Sequence, residues 1–368
     1  MRWLRYMLVF VPLAVVAEFF LHSEMLIFIF SAAALVPLAG LLGEATEELA
    51  IHTGPKIGGL LNATLGNAAE LIITIVAISK GNFELVKASI TGSIIGNLLL
   101  IMGFSLLLGG LKHGKQRFDR GLTGMSASMM TVAVIGLIIP TLFELLKEVS
   151  DPNVPLDVFK TQVNDPQLNI ISLGVAAVLI VIYILSMIYI LRDGGGEAMS
   201  HTGVEETEEI VAHQARWDVK TSLAILAAAT LAIVFMSEFL VGVVEPVAKS
   251  LGVRELFLGI IFIPIVGNVA EHLVGVQAAL KNQMDLSMTI SLGSSMQIAL
   301  FVAPLLVFVS LLFGQQMTLF FSLFEVMVLM MCVLIGAFIS TDGESNWLEG
   351  AMLLGVYVIV ALGFFFVG

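Results

Sequence analysis

The 368 residues are 58% hydrophobic and only 12% charged, which excludes an ordinary soluble domain and leaves a chain divided among many membrane spans. The net charge of -12 comes without a basic cluster, which excludes a nucleic-acid surface. A single cysteine, Cys332, lies in an apolar run and excludes both a disulfide framework and a cysteine-based metal site.

Hydropathy predicts an all-α integral membrane protein of eleven transmembrane helices. The first, 3–21, follows Arg2 and Arg5 and starts like a signal peptide. It lacks a small-x-small cleavage site and another span follows at once, so it reads as a retained helix. The others lie at about 24–43, 56–79, 84–110, 122–147, 168–191, 218–241, 253–280, 285–313, 317–340 and 346–367. Several are too long to cross upright and must tilt, bend or break.

Two joints are longer than the rest. One, 148–167, holds Pro152, Pro155 and Pro166; the other, 192–217, is acidic. Within the second, Glu205, Glu206, Glu208 and Glu209 form either a solvated linker helix or an acidic helix that concentrates or senses cations at a cytoplasmic mouth. With eleven spans, eleven Lys and Arg residues fall on the side of the N-terminus and six, Lys87 among them, on the other. That bias expects the N-terminus and the acidic joint in the cytoplasm, with the chain in the plasma membrane.

An internal repeat organises these spans. Shifted by 201 positions, 44–93 overlays 245–294 without a gap. Gly66-Asn67-Ala68-Ala69-Glu70 meets Gly267-Asn268-Val269-Ala270-Glu271, and Gly92-Ser93 meets Gly293-Ser294. The third span thus matches the eighth. They are five spans apart, an odd number, so the copies enter the membrane from opposite sides, and such inverted repeats build alternating-access transporters. The expected division is an extra first helix at 1–22, a five-helix repeat at 23–191, the acidic linker at 192–217 and a second five-helix repeat at 218–368.

A carboxylate in the middle of an apolar span costs about 3 kcal/mol or more, so two at matched places need a common reason. Positions three apart share a helical face, which groups Asn67 with Glu70 and Asn268 with Glu271. Carboxylate and amide oxygens are hard ligands suited to calcium, which takes six to eight oxygens in irregular geometry. Backbone carbonyls would complete the set where helices break, and Gly66, Gly92, Pro264, Gly267 and Gly293 are placed to break them. Ser93 and Ser294 add hydroxyls. Gly92 to Gly96 is also a helix-packing pattern, and Asn97 and Gln297 are either site edges or interhelical hydrogen bonds. Glu44 and Glu245 match near span ends, as vestibule lining or solvated caps. His272 adjoins Glu271 without sharing its face, and either relays a proton or bonds a neighbouring helix.

At these residues the chain resembles the calcium/proton exchanger (cation/H+ antiporter) family of the cation/calcium antiporter superfamily. The first motif reads Gly66-Asn-Ala-Ala-Glu70-Leu71, then Gly92-Ser-Ile-Ile-Gly-Asn97. The second reads Gly267-Asn-Val-Ala-Glu271-His272, then Gly293-Ser-Ser-Met-Gln297. The resemblance implies two inverted five-helix halves plus an extra first helix, with Glu70 and Glu271 as the central calcium and proton residues and Asn67 and Asn268 beside them. It also implies that the acidic linker corresponds to the family's acidic helix. Sodium/calcium exchangers of the superfamily carry Gly-Thr-Ser-x-Pro-Glu at the repeats; Gly-Asn-Ala-Ala-Glu here favours protons as the counter-ion.

The expected function is export of cytoplasmic calcium in exchange for protons, by alternating access at a midplane site of two glutamates. The alternatives are an antiporter for another divalent ion such as manganese, a sodium-coupled calcium exchanger and, from a different class, a passive cation channel. No His-Glu-x-x-His, nucleophile elbow or phosphate loop suggests an enzyme. Calcium and protons as substrates and membrane lipid are the expected partners, with no nucleic acid and no cofactor.

Overall fold

A computed structural model describes residues 5–54, 57, 58, 61, 64–150, 165–192 and 215–366. The acidic stretch with Glu205, Glu206, Glu208 and Glu209 lies outside the described residues. In chain order the helices are α1 (Met7–Leu21), α2 (Glu24–Thr53), α3 (Ala68–Ser79), α4 (Phe83–His113), α5 (Arg120–Ser150), α6 (Pro166–Arg192) and α7 (Val219–Leu251). Then follow α8 (Glu255–Gly267), α9 (Val269–Leu280), α10 (Met284–Leu312), α11 (Leu323–Ile339) and α12 (Trp347–Phe366). Seven of them are long and apolar enough to cross a membrane: α2, α4, α5, α6, α7, α10 and α12. Helices α8 and α9 together make a bent pair, and α1, α3 and α11 are shorter apolar helices.

Local sequence sets the helix ends. The Asn82 side chain accepts from Leu85 N at 3.0 Å and opens α4. Gly252 takes the left-handed conformation (φ 67°) that closes α7. Ser322 and Glu325 form a reciprocal capping box at the start of α11. Short strands β1 (Gln116–Arg117) and β2 (Glu344–Ser345) pair antiparallel, Gln116 opposite Ser345, and tie the loop after α4 to the loop before α12.

Helices α4 and α10 form the centre. Within their most apolar windows 72% of α4 and 61% of α10 is buried, against 28% for α6 and for α12, which form the periphery. Each central helix carries a π turn, at Gly96–Ile101 and at Ile298–Val302. Long α2 and α7 lie against each other on another flank.

Of four expectations, one agrees with the structure and three are corrected. The spans predicted at 56–79 and 253–280 are interrupted where Gly66 and Gly267 were expected to break them: residues 66 and 67 form a turn before α3, and α8 meets α9 at 63° around Asn268. The span predicted at 317–340 becomes helical only at Leu323; residues 315–322 run without helix, and Met317, Leu319 and Phe321 on them are buried. Hydroxyls satisfy this backbone: Met317 N donates to Ser310 Oγ (2.9 Å), Leu319 N to Ser172 Oγ (3.0 Å) and Phe321 N to Thr141 Oγ1 (2.9 Å). Such backbone is tolerated at membrane depth only when walled in by protein.

Third, Gly92 and Gly293 break nothing, since both lie within continuous helix and the irregular turns come a few residues later. The absence of a side chain at Gly92 serves close packing instead. A Cβ there would stand 2.1 Å from the Ile260 carbonyl oxygen and 2.6 Å from the Pro264 ring. Pro264 has no N–H to offer the Ile260 carbonyl four residues before it, so α4 packs where the helix ladder of α8 is open. Fourth, Lys87 is 3% exposed inside the protein and is no surface charge. Without it the count is eleven Lys and Arg on the N-terminal side against five.

Candidate functional site

The site begins at the two broken helices. Helices α3 and α9 each start one residue after an asparagine, Asn67 (φ -93°, ψ 20°) and Asn268 (φ -107°, ψ 13°), in nearly the same non-helical conformation. Asparagine tolerates such backbone because its short amide competes with helical hydrogen bonding. Each glutamate then sits in the first turn of its half-helix, Glu70 on α3 and Glu271 on α9, where the N-terminal end of the helix dipole favours a negative charge. The two breaks meet: a Cβ at Gly267 would lie 3.9 Å from the Glu70 Cβ.

Around them the side chains form two hydrogen-bonded chains. In the first, Asn268 Nδ2 donates to Ser93 Oγ (3.1 Å), and Ser93 Oγ donates to Glu70 Oε1 in a short contact. In the second, Asn97 Nδ2 donates to Ser294 Oγ (2.9 Å). The single hydroxyl hydrogen of Ser294 faces Glu271 Oε2 at 2.8 Å and Asn67 Oδ1 at 3.2 Å. Asn67 Nδ2 donates in turn to Gln297 Oε1 (2.7 Å).

All eight polar residues singled out from the sequence as possible ligands are therefore assembled here, with hydrogen bonds that cross between the repeats. Asn67 reaches Ser294 and Gln297 on the other repeat, as Asn268 reaches Ser93. The reason is that each asparagine lies in the break, outside the helix whose periodicity the spacing assumed.

The donor set fits a hard cation. Glu70 Oε2 and Asn97 Oδ1 are buried oxygens without a hydrogen-bond partner among the described residues. A buried acceptor left without a donor is costly, and a bound cation is one way to satisfy such an oxygen. Among the described residues no group of three or more His, Cys, Asp or Glu side chains is placed to hold a metal ion, so two carboxylates with amide and hydroxyl oxygens are the available charge. The two are not in equal surroundings: Glu70 is 2% exposed, whereas Glu271 is only partly buried.

The remaining candidates fall elsewhere. His272 stands outside both chains, and its Nε2 is buried without a partner among the described residues. Glu44 is a salt-bridged end residue, held by Arg5 (3.1 Å) and Arg216 (3.6 Å), and Glu245 is exposed and pairs with Lys249 at 2.6 Å. Glu48, which the sequence did not single out, is 4% exposed and accepts from Arg216 N (2.8 Å) and Trp217 N (3.2 Å). It thereby anchors the end of the acidic joint to α2; the repeat does not mark it, since the position 201 residues later is Lys249.

The chain is similar to known proteins over most of its length. The family model described as sodium/calcium exchanger protein matches residues 23–192 and 221–366. The chain is 43% identical to the Ca(2+)/H(+) antiporter of Synechocystis over 98% of this chain and 96% of the relative. It is 41% identical to the Ca(2+)/H(+) antiporter of Aphanothece halophytica over 98% and 95%. The solved structure of native YfkE matches with TM-score 0.79 at 36% identity, covering 99% of both chains. The H+/Ca2+ exchanger CAX shares the fold, with TM-score 0.73 at 15% identity over 98% of this chain and 87% of that one.

Proposed function

The chain belongs to the sodium/calcium exchanger protein family, and from that membership we propose that it is an antiporter exporting cytoplasmic calcium in exchange for protons. The single observation that carries the site assignment is the pair of hydrogen-bonded chains joining Glu70 and Glu271 to amides and hydroxyls from both repeats. Glu70 and Glu271 are the cation- and proton-binding groups. Asn67, Asn268, Ser93, Ser294, Asn97 and Gln297 supply or orient the neutral oxygens.

Two carboxylates balance one divalent ion. When the ion leaves, protons take its place, and the site alternates between two states near neutrality. An empty site would carry two buried anions, each costing about 3 kcal/mol or more, and that penalty couples the two fluxes. Protons entering down their gradient then drive calcium outward. Alternation comes from rocking of α2 and α7, packed against each other, over a site fixed on the remaining helices. In this reading the chain crosses the plasma membrane eleven times, as an extra helix (1–22) and two inverted halves (23–191 and 218–368). The N-terminus and the acidic joint (192–217) face the cytoplasm.

The test uses proteoliposomes with an imposed pH gradient. Calcium uptake should follow that gradient with or without sodium. Uptake indifferent to the gradient refutes exchange and indicates a channel, and a sodium requirement refutes the proton. Competition with manganese in the same vesicles ranks the divalent ions.

A further inference from the structure

A second buried charge cluster lies outside the site. Glu325, in the first turn of α11, is 0% exposed. Its Oε2 accepts from Ser322 N (2.9 Å) and Ser322 Oγ (2.7 Å), and its Oε1 accepts from Thr91 Oγ1 of α4 (3.0 Å). Lys87, four residues before Thr91 and on the same face of α4, lies within electrostatic reach of Glu325 and Glu84. Its Nζ is 5.9 Å from the centre of the Phe320 ring.

Thr91 and Ser93 are two residues apart on one helix, about 200° around its axis, so they face nearly opposite ways. One flank of α4 is tied to α11 by Thr91; the other is tied to Glu70 by Ser93. A helix held on both flanks is not free to turn about its axis. Opposite charges buried near each other add little net stability but can select one register over others.

Among the described residues the matching positions of the other half cannot make this tie: those 201 residues after Lys87 and Thr91 are Met288 and Leu292, both buried and apolar. We propose that Glu325 is a positioning residue: through Thr91 and Lys87 it fixes the rotation of α4 and so holds Ser93 against Glu70, making the two glutamates mechanically unequal. The proposal rests on the exchanger reading of the site.

The test compares Thr91→Val, Thr91→Ser, Glu325→Gln, Lys87→Met and the double Lys87→Met/Glu325→Gln in the full chain. Calcium uptake in proteoliposomes gives KM and maximal rate, and hydrogen–deuterium exchange follows peptides covering 83–95. Losing one hydrogen bond of ordinary strength corresponds to about fivefold, so Thr91→Val should raise the calcium KM by about that factor at an unchanged maximal rate. It should also speed exchange in α4 and leave α10 unaffected. Thr91→Ser, which keeps the donor, should match the parent. The double variant, which removes both charges while its Gln still accepts from Thr91, should lie closer to the parent than either single variant. Thr91→Val with parental KM overturns the proposal, and so does a lower maximal rate at parental KM, the signature of less folded protein. If parental uptake ignores the pH gradient, the exchanger reading falls by itself. Exchange in α4 then decides the tie alone, and unchanged protection in Thr91→Val refutes it.

Discussion

The crossed hydrogen bonds make a prediction that a same-helix grouping would reverse. Asn67 Nδ2 donates to Gln297 Oε1 at 2.7 Å across the two repeats, and it shares no described hydrogen bond with Ser93 of its own repeat. Buried neutral hydrogen bonds contribute about 0.5–1.5 kcal/mol, and residues in one network couple by about 0.5–3 kcal/mol. At this short distance we expect about 1–1.5 kcal/mol of coupling between Asn67→Ala and Gln297→Ala, or about 5- to 12-fold in apparent calcium affinity. Asn67→Ala with Ser93→Ala should be additive within about 0.5 kcal/mol, roughly twofold. The assay is the initial rate of calcium uptake into proteoliposomes at fixed pH gradient for each single and double variant, with detergent melting curves to verify folding. A stronger coupling of Asn67 to Ser93 than to Gln297 would refute the crossed arrangement.

Glu70→Gln and Glu271→Gln each keep an acceptor for the serine that serves them and should fold normally, while proton-driven calcium uptake falls to background; near-normal exchange in either moves the site elsewhere. Gly92→Ala should lower the melting temperature sharply, because its Cβ would meet the Ile260 carbonyl at 2.1 Å and overpacking of this kind costs about 1–3 kcal/mol. Gly293→Ala, with nothing within 4 Å, should instead raise it slightly, through a helix preference of about 0.5–1 kcal/mol. At the surface, Lys115 holds the Glu344 carboxyl below its usual range. Its contribution is therefore present above the ordinary carboxylate pKa and lost as the pH falls through the lowered one. The melting difference between the parent and Glu344→Gln should be seen near neutrality, vanish in strong acid and shrink in high salt.

Much of the site was legible in sequence because it is stated twice. A costly carboxylate repeated at a shift of 201, each time with an asparagine before it and a serine after, singled out Glu70, Glu271, Asn67, Asn268, Ser93 and Ser294 without coordinates. Partner choice was not legible, since helical periodicity speaks only for residues inside a helix and both asparagines sit in the breaks. Gly92 and Gly293 look alike in sequence, yet only Gly92 faces a neighbouring backbone. Residues 317–321 are largely apolar, so hydropathy extends α11 backward through them; what holds them out of helix is a set of hydroxyls, one on nearby Ser310 and two, on Ser172 and Thr141, far away in the chain. Lys87 and Glu325 carry no repeat to mark them, and Lys87 was counted among surface charges because it falls near a span end.

The non-helical run at 315–322 also bears on how the protein is made. Helix α11 has 17 residues, about 25 Å at 1.5 Å each, short of a hydrocarbon core of about 30 Å. The run before it has peptide groups that lipid would leave unsatisfied, and the hydroxyls that satisfy them belong to α5, α6 and α10. During synthesis this segment therefore has no stable resting place in the bilayer until those three helices have gathered. Its integration is a late step that waits on assembly, so slowing α5 or α6 should leave newly made chains arrested with the segment outside the membrane.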